Sequence, residues 1–332
     1  MNHTSLLRRR EVFPVVVADY SKTAHVVGWL TIPKEAKDDQ LQIVIHGATY
    51  DHSYWDFPLD PERYSYVDWS LRHHRSVLLI DRLGCGESEH PPSSAVGLDA
   101  NAAVIHQIVR AIREHGLEGH RFRSIILVGH SYGSRTAFWE ASIYRDVDGL
   151  ILTGSSGLVP AVNPAVDLVG RFHKASDDPV LASRDYDGGY LTTVPGRRGD
   201  MFYWAAELDP RVLALDERTK SSVTQRELDE VGKSSGDAGR HLDIPVVCLV
   251  GEQDPLEMSG NPRSVAATKQ TADEISPANF EFTILPDMGH NLALQTNAHA
   301  AFQAMEQWLQ GLDDIALGTI DIPIASPSSR NC

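Results

Sequence analysis

Cysteine is scarce in this 332-residue chain: Cys85, Cys248 and Cys332 are odd in number and far apart. No CxxC pair and no Cys/His cluster at metal-ligand spacing accompanies them, which argues against a disulfide scaffold or a structural zinc module. Cys332 is the final residue, whereas a prenylation box places its cysteine four from the end. Long apolar runs are missing too. Nothing approaches the roughly 18 apolar residues of a membrane span. The opening MNHTSLLRRREVF is polar and basic, without the apolar stretch of a signal peptide. Asn2-His3-Thr4 fits a glycosylation sequon, but without an export signal it reads as chance, and the expected compartment is the cytoplasm. Basic residues are the third deficit, with 30 Lys+Arg against 45 Asp+Glu and a net charge of −15. Nucleic-acid and anionic-membrane binders present basic surfaces, so neither kind of partner is expected.

What is present is globular. Hydrophobic residues make up 42% and charged residues 23%, near the average for folded domains, and a chain of this length buries a large core without staples. Eight short apolar runs recur: Val15–Val17, Val26–Leu30, Ile43–Ile45, Val77–Ile80, Ile125–Val128, Leu150–Leu152, Val246–Val250 and Phe282–Leu285. From the third onward they are nearly unbroken in apolarity, as strands buried on both faces of a parallel sheet must be. Helical periodicity separates several of them. It runs from about Leu98 to His115, where Ala102, Ile105, Ile108, Val109 and Ile112 share a face, again after Ser131, and from about Ala298 to Leu312. Alternating strands and helices imply an α/β fold with a mainly parallel sheet.

The alternation breaks once. About 90 residues separate Gly154 from Asp243, far more than one crossover helix requires, with helix-like segments near Gly199–Leu208 and Thr224–Val231. The expected organisation is therefore a core from residues 1–154 and 244–312, an insertion at 155–243 lying on the sheet, and a C-terminal extension at 313–332.

The run Ile125–Val128 leads directly into Gly129-His130-Ser131-Tyr132-Gly133 and then a helical segment. This is G-x-S-x-G between a strand and a helix. The flanking glycines leave room for a sharp turn that lifts the serine hydroxyl above the sheet. The helix that follows aims its N–H groups at charge developing on a substrate oxygen. Here the sequence resembles the α/β-hydrolase superfamily over roughly residues 12–312. The resemblance also rests on Ile45-His46-Gly47-Ala48, on Asp81-Arg82-Leu83-Gly84-Cys85-Gly86-Glu87-Ser88, and on an acid followed by a histidine late in the chain. It implies an eight-stranded, mainly parallel sheet with a largely helical lid, and a chain order of serine, acid, histidine. Ser134 departs from the further glycine that many members carry there.

A serine hydroxyl needs a base, and the base needs an orienting group. Among fifteen histidines, His290 in Pro286-Asp287-Met288-Gly289-His290-Asn291 lies just past the last strand run, where a loop returns it over the elbow. His130 reads as a packing residue, His46 as structural, and His73, His74 and His120 as surface residues. The resemblance places the acid at Asp254 in Gly251-Glu252-Gln253-Asp254-Pro255, with Glu252, Glu257 and Asp287 as rivals. Some relatives carry it after the sixth strand, but Thr153-Gly154-Ser155-Ser156 offers no carboxylate there. The oxyanion hole is expected from the backbone N–H groups of Tyr132 and Ala48, with Thr49 as the fallback. The Asp81–Ser88 turn lacks the G-K-[ST] ending of a P-loop and reads as structural.

The resemblance also implies that the lid shapes the substrate pocket. Phe202, Tyr203 and Trp204 within Met201–Trp204, and Tyr50 and Trp55 after the oxyanion loop, are the candidate walls; packing of the lid onto the core is the equal alternative. Arg197-Arg198 reads as a solvated basic pair, with attraction of an acidic substrate as the alternative. The expected activity is hydrolysis of an ester, lactone or thioester of a small, fairly apolar molecule, with no cofactor and no metal. Cleavage of a C–C bond with the same triad, perhydrolase or oxygenase chemistry without a cofactor, and a slow-turnover ligand receptor are the alternatives. Epoxide hydrolases and haloalkane dehalogenases of this kind carry an aspartate where this chain has Ser131. Residues 245–332 hold three basic and eleven acidic residues, a field expected to favour protonated His290.

Overall fold

All eight apolar runs are strands of one sheet. In the computed structural model, which describes residues 7–36, 40–155, 170–231, 242–257 and 280–316, they are β1 (Leu7–Val16), β2 (Thr23–Ile32), β3 (Gln40–Ile45), β4 (Ser76–Ile80), β5 (Ser124–His130), β6 (Gly149–Thr153), β10 (Val246–Gly251) and β11 (Phe280–Leu285). The strand order is β1-β2-β4-β3-β5-β6-β10-β11. Only the β1–β2 and β2–β4 pairings are antiparallel. Strands β3, β4, β6 and β10 are buried at every residue, which is why their sequences show no alternation. Pro14 lies in β1, an edge strand that pairs with β2 alone, where a missing N–H is tolerated.

The two sheet faces carry two cores, divided by the period-two alternation of the strands. On one face Ile43, Ile45, Ile125 and Leu127 pack with Ile105 and Ile108 of α3 (Leu98–His115) and Phe138 of α4 (Tyr132–Tyr144). On the other, Val44, Ile126 and Val128 pack with Val67 of α2 (Tyr66–Arg72) and with Phe302 and Met305 of α8 (Ala298–Ala316). Helix α8 runs beyond Leu312 into the expected extension, and Asp313 pairs with Arg75 at 2.7 Å. Residues 317–332, including Cys332, lie outside the described residues. No described helix is long and apolar enough to cross a membrane.

Between β6 and β10 the described residues form an antiparallel three-stranded sheet of β7 (Phe172–Lys174), β8 (Tyr190–Thr193) and β9 (Val223–Thr224), with α5 (Arg198–Phe202), α6 (Pro210–Thr219) and α7 (Gln225–Asp229). The helix-like stretches near residues 199–208 and 224–231 thus contain α5 and α7. The small sheet and α6 are additions to the expected, largely helical insertion.

Topology fixes where a site can form. From β3 the chain passes to β4 on one side, and from β5 it passes to β6 on the other, although β3 and β5 are hydrogen-bonded neighbours. Their carboxyl ends therefore diverge and leave a crevice at the switch point.

Candidate active site

Ser131 sits at that crevice, at the turn from β5 into α4. Its backbone is left-handed, φ 53° and ψ −115°, a conformation that costs a non-glycine residue about 1–3 kcal/mol and persists only when its surroundings enforce it. They do so here by close packing. A methyl group on Gly129 would stand 2.5 Å from the Gly133 carbonyl oxygen, and one on Gly133 would stand 2.4 Å from the Ile45 carbonyl oxygen. The Ser131 N–H is held by the Thr153 carbonyl at 2.7 Å.

The loops after β10 and β11 converge on this serine. His290 Nε2 lies 2.8 Å from Ser131 Oγ, and His290 Nδ1 lies 2.8 Å from Asp254 Oδ2. A carboxylate only accepts, so Nδ1 carries the proton and Nε2 is free to take one from the serine. The other Asp254 oxygen accepts the N–H groups of Leu256 (2.8 Å) and Glu257 (3.1 Å). Asp254 is fully buried and His290 nearly so. Burial opposes the imidazolium, but the Asp254 charge and hydrogen bond, with Glu257 behind them, outweigh it and raise the His290 pKa above its ordinary value. Asp287 is exposed, and Glu252 is half-buried with its N–H on the Leu285 carbonyl.

Two other histidines have plain structural roles. His130 stacks on Tyr54 with ring centroids 4.2 Å apart, and burial holds its pKa far below the usual value. His46 Nε2 accepts the Arg82 N–H at 3.0 Å while Nδ1 donates to the Gly47 carbonyl at 2.9 Å; burial depresses its pKa to about 3. His74 and His120 are exposed and His73 half-buried, with Nδ1 on the Trp69 carbonyl.

A largely apolar cavity opens at Ser131. Ala48, Tyr132 and His290 line it, together with Tyr50, Phe202 and Met201. Tyr132 is the first residue of α4, so its N–H has no partner one turn back in the helix. Trp55, Tyr203 and Trp204 are not among the lining residues. Trp55 is core, its Nε1 donating to the Ile45 carbonyl. The Tyr203 hydroxyl donates to Asp216, and the Trp204 N–H donates to Gln295. Sequence alone has no means of separating an aromatic wall from an aromatic core. Glu257, a rival for the acid in the sequence, instead lines the cavity, and burial pushes its pKa up to about 7 against the Arg135 charge.

Arg198 requires a correction. It is not solvated but fully buried, paired through Nε and Nη2 with Asp216 of α6 at 2.8 Å. Its Nη1 reaches Thr49 Oγ1 at 3.0 Å, and the guanidinium lies 4.2 Å from the Tyr50 ring centroid. Thr49 has φ 62°, an outlier for a β-branched residue. Its carbonyl is held by the Ser221 N–H at 2.9 Å. Arg82 mirrors this arrangement: it donates to the carbonyls of His46 and Gly47 and pairs with Glu227 of α7. Each end of the loop at 46–50 is thus gripped by a buried arginine whose acidic partner belongs to the inserted segment. The Asp81 carboxylate accepts the N–H groups of His52 and Glu87 at 2.7 Å each, consistent with a structural turn at Asp81–Ser88.

The alpha/beta hydrolase family model matches residues 42–304. No curated protein matches the sequence. Among solved structures, a carboxylesterase from Bacillus subtilis aligns with TM-score 0.60 and 15% identity, covering 91% of this chain and 92% of the other. A thermophilic esterase from Thermogutta terrifontis gives 0.58 and 18%, covering 91% and 98%. A ferulic-acid-bound protein from Butyrivibrio proteoclasticus gives 0.57 and 17%, covering 91% and 100%. At these identities the likeness extends to the fold.

Proposed function

The chain belongs to the alpha/beta hydrolase family, and from that premise we propose that it is a serine hydrolase that cleaves an ester, lactone or thioester of a small, fairly apolar molecule. The observation that carries this reading is the unbroken chain from Ser131 Oγ through His290 to Asp254, set at the mouth of an apolar cavity. Ser131 Oγ attacks the carbonyl carbon as its proton passes to His290 Nε2, and Asp254 stabilises the imidazolium. The tetrahedral oxyanion accepts hydrogen bonds from the N–H groups of Tyr132 and Ala48. Collapse expels the alcohol or thiol, which takes the proton from His290. Water, deprotonated by the same imidazole, then hydrolyses the acyl-enzyme and restores the serine. Residues 155–243 serve as the lid, and its Met201 and Phe202 supply apolar contact to the substrate.

Short p-nitrophenyl esters test this. Turnover by the wild-type chain and its loss by at least 10³-fold in Ser131→Ala are expected, the scale on which triad members act. Undiminished hydrolysis in Ser131→Ala would sink the reading. Acylation of Ser131 without turnover would move the assignment toward a slow-turnover receptor.

A further inference from the structure

On the flank of the sheet away from Ser131's turn, at the far end of α4, three ligating side chains converge. They are His106 of α3, Glu140 of α4 and Asp146 just beyond α4, with one donor atom from each lying within 4.8 Å of the others. Glu140 is fully buried, yet neither of its carboxylate oxygens has a hydrogen-bond partner, and Asp146 Oδ1 has none either. Three buried oxygens without donors are a large desolvation penalty, so a positive species belongs between them.

A proton is the smallest candidate. Burial, then the neighbouring Asp146 carboxyl, push the Glu140 pKa up to about 10. One shared proton satisfies one Glu140 oxygen and Asp146 Oδ1, but leaves the second Glu140 oxygen alone. A cation taken by both Glu140 oxygens and Asp146 Oδ1 satisfies all three. Further features fit a cation. The His106 Nδ1 donates to Asp146 Oδ2 at 2.6 Å, and when the ion enters this hydrogen bond gives way as the ring passes to its Nε2–H tautomer, freeing Nδ1 to ligate. The His106 ring is fixed by stacking on Tyr144, centroids 4.0 Å apart, and Arg113 Nε anchors the Asp146 carbonyl at 2.7 Å, the outer support that metal ligands need. The side chains of His106 and Asp146 are 22% and 19% exposed, which leaves a path for the ion and room for water ligands.

We propose that His106, Glu140 and Asp146 form a binding site for one divalent transition-metal ion of the zinc or manganese class, which ties α3 to α4. The mixed nitrogen and carboxylate set favours such an ion over magnesium. The site takes no part in the hydrolysis, and the Glu140 proton leaves as the ion enters.

The test uses the full chain stripped with EDTA and titrated by calorimetry with ZnCl2, MnCl2 and MgCl2, with thermal melts in parallel. We expect stoichiometric Zn²⁺ binding with a rise in Tm, and a much weaker response to Mg²⁺. Glu140→Gln should keep its EDTA-state Tm while losing Zn²⁺ affinity by more than the roughly 100-fold that removal of an outer-shell partner costs. His106→Ala, at a half-exposed position, gives a second reading if Glu140→Gln folds poorly. Absence of stoichiometric binding in the wild type, or undiminished affinity in the variants, would overturn the site. Equal responses to Zn²⁺ and Mg²⁺ would overturn the ion class.

Discussion

At the scale of single residues, His290 sets the pH dependence. Burial works against its charged form, while the charge and hydrogen bond of Asp254, followed by Glu257, work for it, and the sum raises its pKa. A general base acts in its neutral form, so kcat/KM should rise with pH along a limb lying above 6.5. In Asp254→Asn the largest raising contributions are gone, so the limb should move down and kcat should fall on the order of 10⁴-fold. A pH–rate profile of both proteins checks this, and a wild-type limb well below 6.5 would contradict it. Ser131 and His290 could be singled out in the sequence because each follows an apolar strand run at its carboxyl end, and Asp254 because its turn resembles the family's acid-bearing turn. Arg198 was not, because its burial depends on Asp216, 18 residues later, and no local pattern announces that pairing. Nor were His106, Glu140 and Asp146, whose spacing of 34 and 6 residues matches no ligand motif.

At the scale of elements, the turn after β5 and the loop after β3 are made rigid by different means. The elbow relies on missing side chains. Gly133→Ala places a methyl group 2.4 Å from the Ile45 oxygen, and because that neighbour is sheet backbone we expect a loss of at least about 3 kcal/mol in denaturant unfolding. Retention of wild-type stability would mean that the elbow is looser than described. The loop at 46–50 relies on buried charge. Arg198→Met strands Asp216 and should destabilise by about 3–5 kcal/mol, whereas Arg198→Met with Asp216→Leu should recover much of it. In both variants kcat on ester substrates should stay low, because Thr49 has lost the contact that holds its left-handed backbone. Recovery of kcat along with stability would show that Arg198 acts through folding alone. Long elements such as α3 were readable from periodicity. Strands β7, β8 and β9, only two to four residues long, are too short to leave a pattern.

For the whole molecule, the mainly parallel sheet was foreshadowed by nearly continuous apolar runs that alternate with helices, because strands buried on both faces hold few polar residues, Gln42 and Thr153 among them. The excess acidity of residues 245–332 pointed in the same direction as the shift at His290. The structure traces that shift to two neighbouring carboxyls, Asp254 and Glu257, and acidic residues on the surface add little across a screened distance. The serine as nucleophile is the claim on which the rest depends. Mass spectrometry of the intact chain after treatment with a fluorophosphonate tests it most directly. We expect a single adduct that maps to Ser131, slowed by orders of magnitude in His290→Ala; an unmodified chain, or an adduct on another residue, would contradict it.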